Sequence, residues 1–195
     1  MKILVFFLSF LVLASYSLGA EPVRDTDGDY LWTSSRYYIW PEVSQGPAGP
    51  LTLNPTRNQN CSLDVVQELA NDDVGVPFAF TPVLYPKGVI REETDMNIKF
   101  TAETLCNETV VWTVKHESNN KYFVRSGGVE GNPGPETARN WFKIIKYMDG
   151  YKLLHCPSVC IKCEAICRDV GIVKDDYTPY LGLSEFPVKV VFKRA

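Results

Sequence analysis

Short runs of alternating apolar and polar residues recur along this chain, and their period of two predicts β-strands instead of helices. Tyr37-Tyr38-Ile39-Trp40 is one such run, closed by Pro41, where the strand is expected to end. Gly49-Pro50 precedes Leu51-Thr52-Leu53, and Phe78 with Phe80, then Met96, Ile98 and Phe100, mark two more strands. Val110 to Val114, Tyr122 to Val124, Trp141 to Ile144, Tyr151 to Leu154 and Val188 to Phe192 carry the pattern to the end of the chain. Leu63 to Ala70 has the best helical spacing, yet its Val65-Val66 pair and short length suit a strand as well. Gly127-Gly128 and Gly131-Asn132-Pro133-Gly134-Pro135 supply turns, and the run from Gly127 to Gly134 reads as a hairpin loop. About a dozen short strands at this spacing predict an all-β sandwich or barrel. The length beyond residue 20 also divides into three similar portions, although no exact repeat marks the division.

The first residues fall outside this pattern. Lys2, the apolar core from Ile3 to Ala14 and the small residues of Ser17-Leu18-Gly19-Ala20 predict a secretory signal peptide over residues 1–20, cut after Gly19 or Ala20. Its apolar core is shorter than the ~20 residues a membrane-spanning helix needs, and no later run is long enough. Residues 21–195 are therefore expected to form one secreted domain that is not held in a membrane. The formal net charge is −3, and losing Lys2 makes it more acidic, so bulk attraction of nucleic acid is excluded.

The 6 cysteines, an even number in a chain addressed to an oxidising compartment, predict disulfides. Cys61 and Cys106 stand apart, whereas Cys156, Cys160, Cys163 and Cys167 crowd into one segment and are expected to pair among themselves. A nested arrangement would staple a tight excursion between two strands. The same four thiols form a possible zinc set, but structural zinc sites usually space two Cys pairs by a dozen or more residues. Cys160-Ile161-Lys162-Cys163 also has redox spacing, without the βαβ context that chemistry uses.

Candidate chemistry is otherwise sparse. His116 and His155 accompany no nucleophile motif, and both read as structural or solvated. Gly182-Leu183-Ser184-Glu185-Phe186 ends in Phe where a nucleophile elbow needs Gly. Asp72-Asp73 and Asp175-Asp176 lack the spaced oxygens of a calcium loop. No enzyme activity, metal or cofactor is expected. Asn60-Cys61-Ser62 and Asn107-Glu108-Thr109 are glycosylation acceptors at Asn60 and Asn107. The most suggestive stretch is Tyr85-Pro86-Lys87-Gly88-Val89-Ile90-Arg91, a basic loop between two strands and between Cys61 and Cys106. Pro82 and Pro86 restrict it, so little entropy remains to be lost when a partner binds.

Val23-Arg24-Asp25-Thr26-Asp27-Gly28-Asp29-Tyr30-Leu31, followed by Tyr37-Tyr38-Ile39, resembles the N-terminal signature of the Kunitz-type soybean trypsin inhibitor family. Leu63-Asp64-Val65-Val66-Gln67, Asp95-Met96-Asn97-Ile98-Lys99-Phe100 and Gly131-Asn132-Pro133-Gly134-Pro135 with Trp141-Phe142-Lys143-Ile144 are similar to its miraculin-like branch. So is the end of the chain, from Tyr151-Lys152-Leu153 and Cys156-Pro157-Ser158-Val159-Cys160 to Leu181-Gly182-Leu183-Ser184. The resemblance implies a β-trefoil of twelve strands in three pseudo-repeats, stapled by Cys61–Cys106, Cys156–Cys167 and Cys160–Cys163. It implies barrel positions for Ile39, Leu51, Ile98, Phe100, Phe142, Leu153, Val190 and Phe192. It further implies a secreted monomer, extracellular or vacuolar, that inhibits a trypsin-like serine protease in plant defence. The inhibitory loop falls at Tyr85, Pro86, Lys87, Gly88 and Val89, with Lys87-Gly88 as the reactive bond, because Lys87 rather than Pro86 suits a trypsin-like pocket. Thr33 takes the place of a loop-supporting asparagine, with a shorter reach and no amide donors. The alternative is a non-inhibitory secreted defence or binding protein of the same fold.

Overall fold

The structure is a computed structural model that describes residues 19–42, 49–55, 63–68, 75–101, 109–117, 120–160, 162–163 and 165–195. The expected signal peptide up to residue 18, Asn60, Cys61, Asp72-Asp73, Cys106 and Asn107 lie outside the described residues. In chain order the strands are β1 (Tyr37–Glu42), β2 (Leu51–Pro55), β3 (Leu63–Gln67), β4 (Phe78–Pro82), β5 (Met96–Phe100) and β6 (Thr113–His116). They continue as β7 (Tyr122–Arg125), β8 (Lys143–Tyr147), β9 (Gly150–His155), β10 (Arg168–Asp175), β11 (Thr178–Ser184) and β12 (Lys189–Arg194), with a 3-10 helix at Pro135–Asn140 between β7 and β8.

All strand pairs are antiparallel, and they sort into a barrel and a cap. Around the barrel, β1 pairs with β12 and β4, β4 with β5, β12 with β9 and β9 with β8. The ring closes where Met96 at the start of β5 and Phe142 just before β8 exchange backbone hydrogen bonds of 2.8 and 2.9 Å. The cap consists of the hairpins β2–β3, β6–β7 and β10–β11. Their second strands meet one another: Tyr180 lies opposite Val66, Gly182 opposite Phe123 and Asp64 opposite Arg125. A Cβ on Gly182 would fall 2.5 Å from the Tyr122 carbonyl oxygen, so this close approach requires glycine. A six-stranded barrel closed by three meeting hairpins is a β-trefoil.

Burial follows the alternation. β1 alternates buried and partly exposed residues down to Pro41, and β4 does so throughout. Phe78 and Phe142 both pack edge-on against Trp112, at 5.2 and 5.7 Å, and Phe80 packs edge-on against Phe192 at 5.7 Å. Ile39, Leu51, Ile98, Phe100, Phe142, Leu153, Val190 and Phe192 are all buried, although Leu51 belongs to the cap and not to the barrel.

Besides the place of Leu51, three expectations need correction. β1 does not stop at Pro41, which lies opposite Val190, and the strand runs on to Glu42. Among the described residues β4 meets β1 only at Tyr37 and near Pro41 β1 pairs with β12 alone, so the missing N–H is tolerated. The run from Val110 to Val114 changes partners halfway. Trp112 donates to Ile98 of β5 at 2.8 Å, and only from Thr113 does pairing with β7 begin. Gly127 to Gly134 is not a hairpin loop, because β7 before it and β8 after the 3-10 helix do not pair with each other. Asn97 fixes this connection by accepting from Gly131 N–H at 2.7 Å and donating to the Asn140 carbonyl at 2.8 Å.

The excursion between β9 and β10 is stapled as the nested arrangement has it, by Cys156–Cys167 and Cys160–Cys163.

Candidate functional site

The candidate loop joins β4 to β5, and its base is a continuation of their ladder. Val83 N–H donates to the Asp95 carbonyl at 2.8 Å, one step beyond the Pro82–Met96 pair. Asp95 also ties the base to the disulfide segment, since its Oδ2 accepts from Ser158 N–H at 2.9 Å. Lys143 Nζ donates to Ser158 Oγ at 2.6 Å and lies 3.9 Å from the Asp95 carboxylate. Burial raises the Asp95 carboxyl above its ordinary range, against the lowering pull of Ser158 and Lys143.

From this base the chain divides into an outer and an inner arm. Leu84, Tyr85, Pro86 and Lys87 are exposed, Tyr85 at 83 %. Leu84, Tyr85 and Lys87, with Arg91 and Thr94, border a groove of about 450 Å³. The inner arm turns back into the molecule at Val89 and Ile90, and Ile90 is fully buried. Three buried residues there form a closed ring of backbone bonds. Val23 N–H donates to the Ile90 carbonyl at 2.9 Å, Ile90 N–H to Leu31 at 2.8 Å and Leu31 N–H to Val23 at 2.9 Å. Glu92 N–H donates to the Glu21 carbonyl at 2.8 Å, and Arg91 Nη1 to the Ala20 carbonyl at 2.8 Å.

Gly88 stands where the two arms meet. Its N–H donates to Thr33 Oγ1 at 3.0 Å, and its carbonyl accepts from Thr33 N–H at 2.9 Å. Thr33 thus reaches Gly88 with a side-chain acceptor and a backbone donor, and the carbonyl needs no side-chain amide. Gly88 has φ 130° and Tyr85 has φ 55°, so the backbone departs from an extended line on both sides of Pro86-Lys87. Nothing lies within 4 Å of a Cβ built on Gly88, so its backbone conformation alone favours glycine.

The structure therefore brings Thr33 and Gly88 together and leaves Lys87 exposed between two turns. Sequence reasoning missed the inner arm and the upstream segment that covers it. The available signal was Val89-Ile90, a β-branched apolar pair that an exposed loop seldom carries. The candidate disulfide Cys61–Cys106 and the glycosylation acceptors lie outside the described residues. Among the described residues no group of three or more His, Cys, Asp or Glu is placed to hold a metal, and no helix is long and apolar enough to cross a membrane.

Residues 23–194 match the sequence profile of the legume Kunitz family, described as trypsin and protease inhibitor. The chain belongs to this Kunitz family. Among its relatives, Kunitz trypsin inhibitor 5 of Arabidopsis thaliana is 41% identical over 180 residues, covering 91% of this chain and 87% of the relative. Miraculin of Synsepalum dulcificum is 39% identical over 193 residues, covering 94% and 87%. The solved structure of the Kunitz-type cysteine protease inhibitor PCPI-3 from potato superposes with TM-score 0.77 at 33% identity, over 91% of this chain and 98% of that one. The Kunitz fold of this chain is thus shared with proteins named for serine and for cysteine protease inhibition.

Proposed function

We propose that this Kunitz protein is a secreted inhibitor of a trypsin-like serine protease, acting in plant defence as a monomer, with Lys87-Gly88 as its reactive bond. The carrying observation is the double hold of Thr33 on Gly88, directly after an exposed lysine. In this reading Lys87 enters the specificity pocket and the enzyme's serine attacks the Lys87 carbonyl, as it would in a substrate. Cleavage frees an amine on Gly88, but Thr33 and the backbone ring around Ile90 keep that amine beside the acyl-enzyme. Attack by a tethered amine is favoured by its effective concentration, so the bond re-forms faster than the product leaves. The inhibitor relatives support the class of activity, and none of the relatives named above is named as an enzyme.

A second reading, a non-inhibitory secreted defence or binding protein, is favoured by the backbone at Tyr85 and Gly88. Proteases read substrates as extended strands added to their own edge. The loop must rotate at these residues to fit. Titration of trypsin-like, chymotrypsin-like and subtilisin-like proteases with the purified secreted protein separates the readings. The inhibitor reading expects stoichiometric loss of trypsin activity below micromolar concentration. Full activity of every protease at micromolar protein would leave the binding-protein reading.

A further inference from the structure

Away from the loop, a cavity of about 170 Å³ lies between the β6–β7 hairpin, the 3-10 helix, the end of β9 and the Cys160–Cys163 turn. Val114, Ala138 and Ile166 give it apolar walls. An enclosed apolar space of about 150 Å³ is enough to hold benzene, so this one is large enough for a six-membered ring.

The cavity also has polar groups of defined character. His155, 2% exposed, is one of its walls, and its Nδ1 lies 3.0 Å from the Trp141 carbonyl. A carbonyl can only accept, so Nδ1 carries the hydrogen and Nε2 is left as a lone-pair acceptor. Nε2 has no partner among the described residues. Burial, with the nearby Arg139 charge adding to it, lowers the His155 pKa to about 4, so the ring is neutral at neutral pH and Nε2 keeps its lone pair. A ligand that reaches Nε2 is therefore recognised through a donor. Arg139 stands exposed at the rim with no ion-pair partner among the described residues, and it calls for an anion. A hydrophobic body between an acceptor and a guanidinium is a specific combination.

We propose that this cavity binds a small hydroxylated monocarboxylic acid, with its carboxylate on Arg139, its hydroxyl donating to His155 Nε2 and its ring or chain against Val114, Ala138 and Ile166. The site is independent of the inhibitory loop. The probe is 4-hydroxybenzoate added to the full secreted protein at neutral pH, with the imidazole nitrogens of His155 and exposed His116 followed by nitrogen-15 NMR. A saturable shift of His155 Nε2, larger than any shift at His116, whose ring packs on the cavity residue Tyr122, is expected. Benzoate, which lacks the donor, and 4-hydroxybenzyl alcohol, which lacks the charge, should each bind about fivefold or more weakly. Arg139→Gln, an exposed change that should leave Tm unaltered, should weaken 4-hydroxybenzoate at least about tenfold. A still His155 signal at millimolar probe would mean that the cavity holds water only and would overturn the proposal. So would equal binding of benzoate, or of 4-hydroxybenzoate to Arg139→Gln.

Discussion

Lys87, Gly88 and Thr33 carry the functional reading at the scale of single residues. Lys87→Ala removes the charged anchor from the centre of the proposed interface and should cost about 2 kcal/mol or more of trypsin binding, measured as an inhibition constant. Arg91→Ala should cost less than about 1 kcal/mol, because Arg91 bonds the Ala20 carbonyl beside the loop. The reverse order would place the reactive bond elsewhere. Thr33→Val keeps the side-chain shape and the backbone donor but removes the acceptor for Gly88 N–H. About 1 kcal/mol of support is lost, and trypsin should cut the loop about fivefold faster with Tm little changed. An unchanged cutting rate would mean that the backbone ring suffices. The outer arm of this loop was legible in sequence because proline, glycine and lysine mark an exposed turn. The inner arm was not, because Ile90 is buried by a segment around Val23 that is distant along the chain.

His155 supplies a pH prediction with a definite sign. Its folded pKa of about 4 lies below the ordinary value of 6.5, so the unfolded chain binds the extra proton first as pH falls. Stability from this residue is complete above the unfolded value and drains away between pH 6.5 and about 4, by up to about 3 kcal/mol. Asp95 runs the opposite way, since its raised carboxyl favours the folded state once protonated at lower pH. Urea unfolding at pH 7 and pH 4.5 tests this. His155→Phe should shrink the difference between the two pH values, and an undiminished difference would assign it to other groups.

At the scale of elements, the excursion between β9 and β10 joins stability to the base of the loop. Cys156–Cys167 closes a separation of 11 residues, and replacing both cysteines by Ala should cost about 3 kcal/mol in the chain-entropy picture. Because Ser158 in that excursion donates to Asp95, amide exchange should also quicken at Val83, whose N–H bonds the Asp95 carbonyl. A destabilised protein with Val83 as protected as before would uncouple the two elements. Strand existence was readable from the period of two, since side chains on a pleat alternate whatever the topology. Strand ends were harder. β1 passes through Pro41 and the Val110 to Val114 run divides between two partner strands, and both outcomes depend on neighbours that the local pattern does not contain.

For the whole molecule, three hairpins meeting at Val66, Phe123 and Tyr180 close one end of a barrel that is itself closed at Met96 and Phe142. The threefold plan was faint in the residues, because what repeats is the backbone pairing of one hairpin on the next, which different side chains satisfy. The resemblance to the Kunitz family supplied what spacing alone could not. A closed frame of this kind gives the loop fixed ends, and in the proposed function fixed ends turn a substrate into an inhibitor. The direct measurement is long incubation with trace trypsin at mildly acidic pH, followed by mass spectrometry of the intact protein. A single nick at Lys87-Gly88 that rises to a plateau, and reaches the same plateau starting from nicked protein, is the expected result. Continuous degradation to small peptides, or a nick that runs to completion, would contradict the account.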